Sequence, residues 1–266
     1  MMPAAGPEPM KLCAHLGFQF TEFDGLQRLE QAARAGFECV EWPAIYGYSA
    51  QQLSDQLQRL NLAWAQVTLP PGDAARSEKG IAALPGRQVE FSESLDRAIT
   101  YAAALGAKAI HPLAGVGVSL HDRTVLDTYI GNLRLATNAA TEHGMTVMVE
   151  VISPQTVPGY AMCSYELAAQ VFDEVPGLAL ILDSYHASML HGDPAAVAQQ
   201  WAGRIGHVQI ADAPGRHEPG TGAIDFARFL SAVKAAGYDG WVGCEYHPQR
   251  GTLEGLSLLD GVRAAL

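Results

Sequence analysis

Four polar residues stand out by type and by place: Glu150, Asp183, Gln209 and Glu245. Each ends a short apolar run, as in Met-Thr-Val-Met-Val before Glu150 and Leu-Ala-Leu-Ile-Leu before Asp183. Taken singly, an acidic residue in such a place is a helix cap or a solvated loop residue, and a glutamine is a satisfied hydrogen-bonder. Four in succession at the ends of consecutive apolar runs point to one shared site. Carboxylates that converge repel one another unless a cation sits among them. Three carboxylates and an amide oxygen are hard ligands, which suit a divalent ion such as Mg2+ or Mn2+. Four protein ligands leave about two octahedral positions open, enough for a bidentate α-hydroxycarbonyl compound.

Other side chains extend this site. His186 follows Asp183 in Asp-Ser-Tyr-His and is placed to polarise a substrate oxygen. His111 ends an earlier apolar run, and Lys108 in the same segment is taken with it as a substrate-binding candidate. His15 lies on the first such run. His207 shares a strand face with Gln209, two residues ahead of it, and reads as buried beneath the site. His121, His143 and His191 read as surface or loop residues. Three carboxylates around one divalent ion leave one negative charge. A small keto or hydroxy acid would then need local positive charge. Arg216, in the loop from Asp212 to Gly222, has the fork to grip a carboxylate bidentately, with His217 beside it.

The elements that must position these residues follow from a recurring pattern: a helix-like stretch, a Gly or Asn stop, then an apolar run. The stops are Gly36, Asn61, Gly106, Gly144, Gly177 and Gly237, residue types that reach the left-handed conformation closing a helix. Before the stops, helical spacing appears at Leu53, Leu57 and Leu60, at Leu126, Ile130 and Leu133, and at Phe226, Phe229, Leu230 and Val233. After them come nearly continuous apolar runs, as strands buried on both faces read. About eight strands result, near 11–18, 37–42, 63–69, 107–111, 146–151, 179–183, 206–211 and 240–246. Eight β-then-α units in this length predict a single (β/α)8 TIM barrel over 10–266, with its site at the C-terminal ends of the strands. A doubly wound open sheet is the runner-up, but no G-x-G-x-x-G follows the first strand. The longest connection, Pro70 to Gln88, reads as a lid.

Composition limits the partners. The 266 residues are 48% hydrophobic and 17% charged, with a formal net charge of −11. That balance fits a folded chain and argues against nucleic acid or an anionic membrane surface, which need a basic face. No run of about 18 apolar residues predicts a membrane span. Met1–Pro9 lacks the basic and apolar regions of a signal peptide and reads as a short disordered leader. Cys13, Cys39, Cys163 and Cys244 form no C-x-x-C and read as free thiols in a reducing cytoplasm. Trp201, Trp241 and the apolar outer helices would allow a homodimer or homotetramer.

From about Met10 to Arg250 the chain resembles the hydroxypyruvate isomerase family, within the xylose-isomerase-like TIM barrels. The resemblance rests on Leu69-Pro-Pro-Gly-Asp73, Leu84-Pro-Gly-Arg87 with Glu90-Phe91, His207-Val-Gln-Ile-Ala-Asp212 running on to Gly222, and Gly237 through Tyr246. It implies metal ligands at Glu150, Asp183, Gln209 and Glu245. It also implies that the two glutamates exchange protons with substrate in an aldose–ketose type isomerisation of hydroxypyruvate and tartronate semialdehyde. The chain departs from the family pattern at Val151-Ile-Ser-Pro154 and at His15, both next to the pocket in such barrels. Alternatives are a 2-oxotetronate isomerase and an epimerase or lyase on a larger keto-sugar. A DNA-repair endonuclease would need more His at the strand ends and a basic groove. A metal-free binding protein would leave buried carboxylates without a counter-ion.

Overall fold

A computed structural model describes residues 10–266. The leader read at Met1–Pro9 lies outside the described residues. Nine parallel strands run in chain order: β1 (Lys11–His15), β2 (Cys39–Glu41), β3 (Ala63–Trp64), β4 (Val67–Thr68), β5 (Ala109–His111), β6 (Thr146–Glu150), β7 (Ala179–Asp183), β8 (Ile205–Ile210) and β9 (Trp241–Cys244). Their spatial order is β3-β2-β1-β9-β8-β7-β6-β5-β4. The strand expected at 63–69 divides into β3, which pairs with β2, and β4, which pairs with β5; the other expected strands are present, several with shorter ends. The two pieces fill one barrel position, so eight positions close the ring. Pairing of β1 with β9 joins the first unit to the last.

Helices cover the outside: α1 (Gln27–Arg34), α2 (Ala50–Leu60), α3 (Gln88–Leu105), α4 (Arg123–Glu142), α5 (Tyr165–Glu174), α6 (Ser184–His191), α7 (Pro194–Gln200) and α8 (Phe226–Ala235). Short helical turns at Thr252–Gly255 and Asp260–Arg263 follow. Among the described residues no helix is long and apolar enough to cross a membrane. The helix ends obey local chemistry. Ser49 forms a capping box with Gln52 at the start of α2, and Asn61 ends that helix in the left-handed region at φ 52°. The expected stripes bury Leu53 and Leu57 on α2, and Leu126, Ile130 and Leu133 on α4. They also bury Phe229, Leu230 and Val233 on α8.

Two expectations change in the folded chain. Part of the Pro70–Gln88 connection is fastened rather than free. Ala82 and Ala83 donate to Leu113 and Ala114, and Asn132 donates to the Ala82 carbonyl. Trp201 is buried, packed edge-on against Phe172 between α5 and the end of α7, so it offers no surface to a second copy. The thiols of Cys13, Cys39 and Cys244 are buried, Cys163 is half-buried, and all are free. Phe229, fully buried beneath α8, tests this helix–barrel packing. Phe229→Ala is expected to cost about 3–5 kcal/mol, read as a lower denaturant midpoint; a loss under about 1 kcal/mol would contradict the packing.

Candidate active site

Glu150 is the last residue of β6 and Asp183 the last of β7. Gln209 lies next to the end of β8, and Glu245 follows β9 directly. Register places Asp183 beside Gln209 and Gln209 beside Gly243. All four polar side chains are buried. Asp183 is also the N-cap of α6: its Oδ1 accepts from the Tyr185 N–H at 2.7 Å. Its Oδ2 is left for the site. Potential ligand atoms of Glu150, Asp183 and His186 all lie within 4.8 Å of one another.

Two imidazoles flank the two glutamates. His186 Nε2 is 3.7 Å from Glu150 Oε1 and 3.8 Å from Asp183 Oδ2. Its Nδ1 accepts from the Ser153 backbone N–H at 3.3 Å, with Ser153 Oγ at 3.1 Å. A backbone N–H only donates, so Nδ1 is the acceptor and the neutral ring carries its proton on Nε2. Burial pushes its pKa down to about 4, which keeps it neutral. His15 repeats the arrangement. Its Nδ1 accepts from the Gly17 N–H at 3.2 Å, and its Nε2 is 3.8 Å from Glu245 Oε2. Burial lowers its pKa as well. The segment Val151–Pro154 thus supplies Ser153, the residue that orients His186.

Arg216 reaches the site from the loop after β8. Its Nη2 donates to Glu245 Oε1 at 2.6 Å and to Asp183 Oδ2 at 3.4 Å. The guanidinium carbon lies 4.8 Å from the Phe18 ring centroid and 5.3 Å from that of Tyr185. Burial opposes its charge, but Glu245, Asp183 and Glu150 together raise its pKa, so it stays a cation. Asp212 holds the loop that delivers it. Asp212 Oδ2 accepts from the N–H groups of Gly220 and Gly222, and Oδ1 from those of Ala213 and Ile224, all within 3.0 Å. Arg216 itself has φ 55°, uncommon for a residue with a side chain. Gly222 must be small, since a Cβ there would lie 2.2 Å from the Ala213 carbonyl oxygen.

Burial, followed by the neighbouring carboxylates, drives the Glu150 carboxyl well up. Burial likewise raises Glu245 to about 8 despite Arg216 beside it. Glu150 Oε1 and Gln209 Oε1 are buried without a hydrogen-bond partner among the described residues. Such oxygens are costly to bury unless something accepts their lone pairs. The orphaned oxygens and the hard donor set of Glu150, Asp183, Gln209 and Glu245 fit a divalent ion.

The remaining expected residues divide. His111, at the end of β5, is buried and faces the barrel interior near Glu41 and His207; burial lowers its pKa to about 4. His207 is buried as expected and pairs through Nε2 with Glu41 Oε2 at 3.1 Å. His217 lies at the rim, its Nδ1 2.8 Å from the His247 carbonyl oxygen. Lys108 is corrected: it is exposed and precedes β5. Three residues ahead of His111, it is about 10 Å back along the strand toward the opposite end of the barrel. His121, His143 and His191 are exposed, as expected. Glu41 was missed, although Cys39-Val40-Glu41 carries the same signal as Glu150, an acid ending an apolar strand. It is fully buried at the end of β2 and accepts from His207, Gln66 and Gln209. Burial works against its charge, yet His207, His15 and the Gln66 amide bring its carboxyl down to about 2.

With this geometry in view, the comparisons agree on a family. The model of the xylose isomerase-like TIM barrel matches residues 29–262. Hydroxypyruvate isomerase of Escherichia coli strain K12 is 37% identical over 96% of this chain and 100% of its own length. 2-Oxo-tetronate isomerase of Cupriavidus necator is also 37% identical, over 94% of this chain and 97% of its own. Among solved structures, AP endonuclease, family 2, from Brucella melitensis superposes with a TM-score of 0.88 at 36% identity, covering 95% of this chain and 98% of that one. The chain belongs to the xylose isomerase-like TIM barrel family and is an enzyme that sits among its isomerases.

Proposed function

We propose that this protein interconverts hydroxypyruvate and tartronate semialdehyde with Mg2+ or Mn2+ held by Glu150, Asp183, Gln209 and Glu245. One observation carries the reading: two buried glutamates, Glu150 ending β6 and Glu245 just after β9, are each faced by a neutral imidazole N–H. A divalent ion bound there would polarise a carbonyl and stabilise charge on adjacent oxygens. The residues do the rest. One glutamate removes the proton from the hydroxyl-bearing carbon, giving an enediolate; the other returns a proton to the neighbouring carbon. The second proton moves between the two oxygens, with the His186 N–H able to follow it. Arg216 would turn to the substrate carboxylate.

The four-carbon 2-oxotetronate would use the same chemistry, and both named relatives stand at 37% identity. The Phe18 ring packs against His15, His247 and Arg216. The nuclease name borne by the Brucella melitensis protein finds less support here: the chain carries −11, and the buried cluster of possible ligands holds one imidazole, His186.

Proton NMR in D2O with hydroxypyruvate, then 2-oxotetronate, is expected to show conversion of the first with deuterium entering at carbon. EDTA should abolish it and Mg2+ or Mn2+ restore it. Conversion of the four-carbon acid alone would reassign the substrate. No turnover of either by metal-loaded protein would overturn the proposal. Glu150→Gln and Glu245→Gln are each expected to lower kcat by about 10²- to 10⁴-fold with the fold intact; near-normal turnover in either would remove that residue from the chemistry.

A pH series probes the buried carboxyls directly. Folded, Glu245 holds its proton up to about pH 8 against an ordinary 4.5, and Glu150 shifts the same way. The unfolded chain releases these protons earlier. Without metal, stability should therefore be highest below pH 4.5 as far as these groups are concerned, and fall as pH rises toward about 8. In EDTA the melting temperature is expected to decline across that window, less so in Glu245→Gln. Mn2+ should restore most at the upper end, where the carboxylates are in their ligand form. An unchanged slope in the variant would show that Glu245 does not carry the shift.

A further inference from the structure

Glu41 lies behind the proposed metal ligands, and donors alone surround its carboxylate. His207 Nε2 and Gln66 Nε2 both meet Oε2 at 3.1 Å, and Gln209 Nε2 meets Oε1 at 3.2 Å. A carboxylate only accepts hydrogen bonds, whereas a carboxamide has one donating and one accepting end. Gln209 must therefore turn its nitrogen toward Glu41. Its oxygen then faces the other way, buried and without a partner among the described residues.

We propose that Glu41 is a positioning residue that sets the Gln209 carboxamide with its oxygen, not its nitrogen, presented to the metal. The proposal rests on the metal site described above. The barrel makes room for this contact at one place. Gly243 stands beside Gln209 in register, and a Cβ there would lie 2.0 Å from Glu41 Oε1 and 3.1 Å from Gln209 Cγ. Gln66 is itself fixed: its carbonyl accepts from Trp64 Nε1, and its side-chain oxygen from Thr68 Oγ1. Two settled donors thus claim one oxygen of Glu41 and leave the other for Gln209. An amide in place of Glu41 would give its single oxygen to His207 and Gln66 and point its NH2 at Gln209. The Gln209 amide would have to turn over, presenting to a cation a nitrogen with no free lone pair.

The test is Mn2+ titration by calorimetry of the EDTA-stripped full chain, with melting temperatures of the metal-free proteins to show that each variant folds. Glu41→Gln is expected to weaken Mn2+ binding about 10- to 100-fold. The same substitution in a Gln209→Ala background should add nothing, because the group it acts through is gone. Combining Glu41→Gln with Gln209→Glu returns an oxygen ligand and should recover affinity, which general damage to the fold would not allow. Should Glu41→Gln fail to fold, Gly243→Ala, which displaces the same carboxylate, is expected to weaken Mn2+ similarly. Wild-type affinity in Glu41→Gln, or an equal loss in the Gln209→Ala background, would overturn the proposal while leaving the metal site standing. Absence of Mn2+ binding to the wild type would instead overturn the metal site, and this inference with it.

Discussion

Three carboxylates share one buried pocket at the mouth of this barrel, and their mutual repulsion is the constraint that the surroundings answer. Removing a charge from water is costly, and like charges nearby raise the cost further. Each neighbour of Glu150, Asp183 and Glu245 responds to it. Arg216 places a guanidinium across Asp183 and Glu245. Two imidazoles present N–H groups and no added positive charge. Asp183 relieves one oxygen by capping α6. What remains, an orphaned oxygen on Glu150 and another on Gln209, defines the direction from which a cation would be welcome.

Support for this pocket comes in layers. Ser153 and the Gly17 N–H settle which imidazole nitrogen carries the proton. Asp212 collects four backbone N–H groups and so fixes the course of the loop bearing Arg216. Below, Glu41 ties β2 and β8 together through His207 and Gln209. The barrel's second half carries Glu150, Asp183, Gln209 and Glu245, and its first half reaches two of them, Glu245 through His15 and Gln209 through Glu41. Closure of the ring by β1 against β9 is what lets the two halves meet.

The helix-cap and metal-site readings of a strand-end acid are not exclusive. Asp183 satisfies the first turn of α6 with one oxygen and faces Arg216 and His186 with the other. A carboxylate has acceptor capacity for both tasks, and the cap fixes the rotamer that the site requires. Loop chemistry behaves alike: the buried Asp212 carboxylate fastens the Gly-rich run after β8 through four backbone N–H groups and so supports Arg216.

The barrel, the helix stops and the four strand-end residues of the proposed metal site are all legible in the order of residues along the chain. Those features are local: an apolar run, a residue able to close a helix, and an acid where the run ends. What lies across the barrel emerges only when the chain is folded. Glu41 and Gln209 are 168 residues apart along the chain and bond through the barrel interior. Nothing in either neighbourhood announces the partner. Side-chain direction was equally invisible. His111 and Lys108 share one segment, yet strand polarity sends the first into the barrel and leaves the second exposed toward the far end. The same holds for Trp201, apolar by type and buried by packing. Local pattern fixes what an element is; closure of the ring fixes which side chains meet, because each inward position is completed by strands distant in sequence.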